Sequence, residues 1–249
     1  RCIRACDDLQ VTHALSIDGR GFDSRIIAGA DESFKESDCV SCGTCVNECP
    51  VGALEEKQLR TAGNPDKWVR TTCGFCGVGC QFDAGIKGNQ LITMKPAADS
   101  PVNNGHACVK GRFASAYVNH KERLTTPLIR GSIDDEFREA SWEEVYVFIT
   151  ERWKQILEES GPDALGIITS SRSTNELNYL GSKLMRAVVG TNNVDNCARV
   201  CHSATVKGMM KVFGAGAGTN SVGDIDVTDL LLASGCNPIH GHPVTGSRI

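Results

Sequence analysis

"CVSCGTCVNECP", residues 39–50, places cysteines at positions 39, 42, 45 and 49 and a proline directly after the last. The register is C-x2-C-x2-C-x3-C-P, the run that holds 4Fe-4S clusters in bacterial ferredoxins. Three thiolates on one tight loop reach three corners of an iron–sulfur cube. The fourth corner comes from elsewhere, and the fourth cysteine of the run serves a second cluster. A zinc site usually takes two separated C-x2-C pairs, which would leave a cysteine over.

Working upstream, "RCIRACDDLQ" (1–10) carries Cys2 and Cys6 four apart, the spacing of Cys45 and Cys49. They read as the last two cysteines of a first ferredoxin motif. Cys6 then completes the cluster of Cys39, Cys42 and Cys45, while Cys2 and Cys49 hold the other, two of whose ligands lie outside this chain. Two ordinary buried cysteines are the alternative. Downstream, "CGFCGVGC" (73–80) supplies Cys73, Cys76 and Cys80, and Cys108 follows after 27 residues. That arrangement fits a third 4Fe-4S cluster, with zinc as the competing occupant.

Composition agrees with this chemistry. The chain has 249 residues, a formal net charge of -4 and thirteen cysteines. It has no basic run of the kind nucleic acid requires. No apolar stretch approaches the roughly 18 residues of a membrane span. An odd number of cysteines, bunched at intervals of two and three, points to metal ligation in a reducing, cytoplasmic compartment rather than to disulfides. The chain opens on Arg1 without a methionine and stops abruptly after "HGHPVTGSRI", so it is expected to be a piece of a longer polypeptide.

The texture changes at Ser141. Ser141 and Glu144 form an S-x-x-E capping box ahead of a helix that Gly161 closes. "ALGIITS" (164–170) suits a buried strand. Ser173 and Glu176 form a second box before "LNYLGSKLMRAVV", stopped at Gly190. A helix is expected from Val200, and "DLLLASG" (229–235) reads as a second buried strand. The expected fold is therefore α+β iron–sulfur modules followed by α/β, a parallel sheet with flanking helices, incomplete at both ends. The expected division is a ferredoxin-like module at 1–62, a third cluster domain at 63–125 and a partial catalytic domain at 126–249.

"TTCGFCGVGC", "CVKGRF" and "LTTPLIR" resemble the cluster domain of the molybdenum or tungsten bis-pterin oxidoreductases. Within that family, "SSRSTNELNY", "GTNNVDNCARVCHSATV" and "GCNPIHGHP" resemble the catalytic subunit of formate dehydrogenase. The ferredoxin-like motifs resemble forms coupled to an NAD-reducing diaphorase-type or hydrogenase-type partner subunit, or to ferredoxin. The resemblance implies three 4Fe-4S clusters, and molybdenum or tungsten held by bis-molybdopterin guanine dinucleotide. It implies two-electron interconversion of formate and CO2.

The same resemblance assigns roles. Cys201 would be the protein ligand of molybdenum or tungsten, and His202 would assist proton transfer. Lys110 would sit between cluster and pterin. Asn237 would bond the guanosine part of the cofactor, as would Ser171, Arg172 and Asn175, in loops after strands where such contacts belong. His242 would lie near the cofactor. A thiolate near a helix start is also plausible on general grounds. Cys197 and Cys236 are expected to be structural. "GAGAG" (214–218) is not a dinucleotide motif, because it follows a helix and lacks the G-x-G-x-x-G spacing. Three alternatives to formate dehydrogenase stay open: another bis-pterin enzyme such as nitrate reductase, a module that only transfers electrons, and a structural zinc protein, which the C-P ferredoxin run disfavours.

Overall fold

The computed structural model describes residues 1–249. They form two compact units, Arg1–Arg123 with Asn220–Ile249, and Leu124–Thr219.

The first unit opens with α1 (Cys2–Arg4) and a π-helical turn through Leu9. The hairpin β1 (Leu15–Asp18) and β2 (Arg25–Ala28) follows, with Leu15 opposite Ala28. Helix α2 (Thr44–Asn47) lies inside the first cysteine run, and α3 (Lys57–Ala62) leads out of it. Strands β3 (Lys67–Thr72), β4 (Gln81–Lys87) and β5 (Gln90–Pro96) then form an antiparallel sheet in that order. Phe82, Ala84 and Met94 point from it into a core shared with Cys80, Ala107 and Val244. Burying a side chain the size of Phe82 contributes about 1.5–3 kcal/mol. The next stretch is turn-rich, as its composition predicts, and ends in α4 (Val109–Phe113) directly after Cys108.

The second unit begins with the two-residue pairing of β6 (Leu128–Ile129) and β7 (Arg138–Glu139). Helix α5 (Trp142–Ser160) starts where expected: Ser141 Oγ accepts the Glu144 N–H at 3.1 Å. The Glu144 carboxylate pairs with Arg138. Gly161 closes α5 at φ 76°.

Strand β8 (Ile167–Thr169) lies in the expected apolar run but is not buried, Ile168 being 81% exposed, and α6 (Asn175–Lys183) follows it. The cap of α6 differs from expectation by one residue. Thr174, not Ser173, accepts the Leu177 N–H, at 3.3 Å, while the Ser173 N–H is turned toward the Ser170 carbonyl. Gly190 ends the following π-helical turn at φ 87°. Strand β9 (Val194–Asn196) pairs parallel with β8, Ile167 opposite Val194. Helix and strand thus alternate around a parallel pair, the α/β pattern predicted.

The helix expected from Val200 is divided. Helix α7 (Ala198–Cys201) ends and α8 (Ser203–Phe213) begins on either side of His202, whose φ of -146° is not helical.

The chain re-enters the first unit at Asn220 and passes through α9 (Pro238–Gly241) and α10 (Pro243–Gly246). "DLLLASG" is not a strand. No neighbouring strand pairs with it, so its apolar composition finds no ladder to join; Leu230 and Leu232 remain 87% and 89% exposed. No helix of the protein is long and apolar enough to cross a membrane.

Candidate functional site

None of the thirteen cysteines is in a disulfide. No three His, Cys, Asp or Glu side chains converge as closely as ligands of a single ion do. Ten of the thiols fall instead into three groups.

Cys73, Cys76, Cys80 and Cys108 line one small cavity. The loop is closed by the Cys73 N–H, which donates to the Cys80 carbonyl at 2.8 Å. Helix α4 sits tight against it: a Cβ on Gly111 would stand 2.7 Å from the Phe82 ring and 3.4 Å from Cys73 Sγ. Only glycine permits that approach. Burial, together with the three neighbouring cysteines, pushes the Cys80 thiol up to about 12. A cation or cluster in the cavity would reverse that effect, because it favours the thiolates. Lys110 is on the cavity wall. His242 is beside the same loop, its Nε2 3.8 Å from where a Cβ on Gly77 would lie.

The second group joins Cys6 to the run at 39–45. Cys39 and Cys45 pack against the cluster of Cys6, Ala14, Leu15 and Ala28. Burial pushes Cys45 up to about 11, with Cys42, Cys39 and Cys6 adding to the effect. Donors already point at these sulfurs: the Ala14 N–H reaches Cys6 Sγ at 3.3 Å and the Ser41 N–H reaches Cys39 Sγ at 3.4 Å. Such N–H···S bonds tune iron–sulfur clusters.

The third group is Cys2 with Cys49, which line a common open pocket. Backbone N–H groups of Leu54, Val51 and their neighbours hold the Cys49 thiol below its usual value; that of Ala53 lies 3.1 Å from the sulfur. The spacing predicts a crossed grouping of Cys6 with the later run and of Cys2 with Cys49; Cys2 also packs against the cluster that holds Cys6.

In the second unit, two loops meet beyond the carboxyl ends of β8 and β9, where α/β sheets place ligands. Asn196 Nδ2 donates to Thr169 Oγ1 at 3.0 Å, and the Cys197 N–H donates to the Thr169 carbonyl at 3.2 Å. The Ser171 N–H and hydroxyl both lie 3.3 Å from Cys197 Sγ. They lower the Cys197 thiol pKa, the backbone donor most. The bond from the Cys201 N–H to the Cys197 carbonyl, 3.2 Å, then sets the next turn. Cys201 and His202 emerge exposed from that turn. Ser171, Arg172 and Asn175, also exposed, occupy the opposite loop and the first turn of α6.

Cys201, His202, Ser171, Arg172 and Asn175 therefore belong to one unit, and Lys110, Asn237 and His242 to the other. Asn237 caps α9, its Oδ1 accepting the His240 N–H at 3.0 Å, so only its amide N–H groups remain to donate. Cys236 is exposed. Sequence reasoning missed the part played by Cys197, which clips the two loops together. Its partner Ser171 lies 26 residues upstream, a separation that carries no periodic signal.

Three family models match the chain. Residues 1–53 match the 4Fe-4S dicluster domain, residues 66–120 the molybdopterin oxidoreductase Fe4S4 domain, and residues 123–249 molybdopterin oxidoreductase. The chain is 39% identical over 289 residues to "Probable oxidoreductase YjgC" of Bacillus subtilis (strain 168), covering 100% of this chain and 29% of that protein. It is 35% identical over 289 residues to a "Putative formate dehydrogenase" of Staphylococcus aureus (strain USA300), with the same coverage. The chain thus spans about 29% of the length of these relatives. Acetylene hydratase from Pelobacter acetylenicus aligns with a TM-score of 0.47 and 22% identity, over 57% of this chain and 20% of that one. The family match covers more than half of the residues, and the chain belongs to the molybdopterin oxidoreductase family.

Proposed function

We propose that this chain is part of the catalytic subunit of a formate dehydrogenase, interconverting formate and CO2. The observation that carries the proposal is the exposed Cys201–His202 pair, held beyond the carboxyl ends of two parallel strands by the Cys197–Ser171 clip. A relative named for formate dehydrogenase supports the choice of substrate.

The oxidation is HCOO⁻ to CO2, H⁺ and two electrons. Molybdenum or tungsten carried by bis-molybdopterin guanine dinucleotide supplies the two-electron acceptor when bound. Cys201 offers it a soft thiolate, suited to a metal already surrounded by sulfur. His202, adjacent and exposed, takes up the proton. Ser171, Arg172 and Asn175 offer hydroxyl, guanidinium and amide donors for a pterin cofactor; Asn237 offers an amide and His242 an imidazole. Lys110 places a cation beside the thiols of Cys73, Cys76, Cys80 and Cys108.

Those four cysteines hold one 4Fe-4S cluster. Cys6, Cys39, Cys42 and Cys45 hold a second, and Cys2 with Cys49 contributes to a third. The functional parts are 1–62, 63–125 and 126–249, the last folding residues 220–249 back into the cluster-bearing unit. The electrons leave toward an NAD-reducing diaphorase-type subunit, a hydrogenase-type subunit or ferredoxin. So many reduced thiols suit the cytoplasm.

The test is anaerobic purification of the full-length protein, iron, molybdenum and tungsten analysis, and a dye-linked formate assay. Formate-dependent dye reduction by a metal-loaded protein is expected. Metal-loaded protein that reduces nitrate and ignores formate would refute the substrate assignment.

A further inference from the structure

The side chain of Arg112, four residues after Cys108, is only 2% exposed. Its guanidinium reaches well beyond its own helix. Nη1 donates to the Met94 carbonyl on β5, and Nη2 donates to Glu56 Oε1 and, at 3.0 Å, to Asn47 Oδ1. Asn47 lies between Cys45 and Cys49 of the ferredoxin run. Glu56, itself buried, also accepts from Thr93 Oγ1 at 2.9 Å. One side chain therefore ties the ferredoxin-like segment to the sheet whose strands flank Cys73 and Cys80. A second link, Gln10 Nε2 to His106 Nδ1 at 3.0 Å, runs parallel to it.

The remaining donor is the informative one. Arg112 Nε is buried and has no hydrogen-bond partner. A buried unpaired donor is rare, and on a guanidinium it is costly. It faces the backbone between Cys42 and Cys45: a Cβ on Gly43, where φ is 73°, would stand 2.7 Å from Arg112 Nε. Both the conformation and the approach require glycine there. Burial lowers the Arg112 pKa, and Glu56, Cys42 and Cys45 act against that lowering. A guanidinium stays protonated in proteins, so this charge is permanent.

We propose that Arg112 is a positioning residue that joins the two cluster-bearing segments and presents a fixed positive charge, through its unpaired Nε–H, to the cluster of Cys6, Cys39, Cys42 and Cys45. The inference rests on the cluster assignment made above. One-electron reduction adds negative charge to a cluster. A cation and a donor beside it stabilise the reduced form and raise its potential. Glu56, bonded to the same guanidinium, carries the opposite charge and offsets part of the effect. Charge on Arg112 and on Glu56 should therefore act with opposite sign.

The test is a redox titration of the full-length, cluster-loaded protein, followed by electron paramagnetic resonance at matched iron content. Arg112→Gln is expected to lower one cluster midpoint by about tenfold in the reduced-to-oxidised ratio, about 59 mV for a one-electron couple. Arg112→Lys, which keeps the charge, is expected to move it less. Glu56→Gln is expected to raise it. Unmoved midpoints in Arg112→Gln, or shifts of the same sign in Arg112→Gln and Glu56→Gln, would overturn the proposal. Should Arg112→Gln not hold its clusters, the signs in Arg112→Lys and Glu56→Gln decide, and no upward shift in Glu56→Gln counts against it. A wild-type protein without iron and sulfide would remove the cluster assignment, and this role with it.

Discussion

The backbone N–H of Ser171 lies 3.3 Å from Cys197 Sγ, and the Ser171 hydroxyl stands at the same distance. These two donors stabilise the thiolate, which lowers the Cys197 pKa. A lowered pKa gives a larger thiolate fraction at any pH below the ordinary thiol value of about 8.5. Alkylation of Cys197 is therefore expected to reach half its limiting rate at a lower pH than that value. Ser171→Ala removes the hydroxyl and keeps the backbone donor, so the midpoint should move part of the way up. Peptide-resolved alkylation across pH 6–10 reads both; a midpoint unchanged by Ser171→Ala would mean that the hydroxyl is not a donor to the sulfur.

The cap of α6 separates two neighbouring residues. Thr174 Oγ1 accepts the Leu177 N–H, and Ser173 does not cap. Thr174→Ala is expected to cost about 1 kcal/mol. That is roughly a fivefold loss of hydrogen-exchange protection in the first turn of α6. Ser173→Ala should change it little. The reverse ranking would restore the cap that the S-x-x-E spacing suggests.

Much of the site was legible because cluster ligation constrains spacing locally. Cys39, Cys42 and Cys45 must share a loop, and the four-residue interval of Cys2 and Cys6 repeats that of Cys45 and Cys49. The capping of α5 by Ser141 and its end at Gly161 were equally local. The rest depends on contacts distant in sequence. Arg112 meets Glu56 across 56 residues, and nothing near either residue announces the pair. Strand β3, "KWVRTT", is exposed along its whole length and has no apolar alternation to betray it. "DLLLASG" has the apolar content of a strand and no partner strand. The break at His202 depends on one backbone angle that composition does not encode.

Asn103 anchors the approach to Cys108. Its side chain is 1% exposed. Its Oδ1 accepts the Gln81 N–H at 2.8 Å, and its Nδ2 donates to the carbonyls of His106, at 2.9 Å, and Gln81, at 3.3 Å. Asn103→Ala leaves buried backbone groups unpaired, at about 1–3 kcal/mol for each group not recovered by water. Faster exchange of the amides at 98–108 is expected, with weaker retention of iron on gel filtration. Exchange and iron content equal to wild type would show that this network does not hold the Cys108 loop.

The most direct test of the central claim is the replacement of Cys201 by alanine in the full-length protein, assayed for formate oxidation with an artificial dye. Iron content should equal wild type, because Cys201 belongs to none of the three thiol groups. Activity should fall by more than the roughly 10–100-fold that loss of an outer partner of a metal costs. Formate oxidation at the wild-type rate in a Cys201→Ala protein that retains its clusters would contradict the assignment of the chemistry to Cys201.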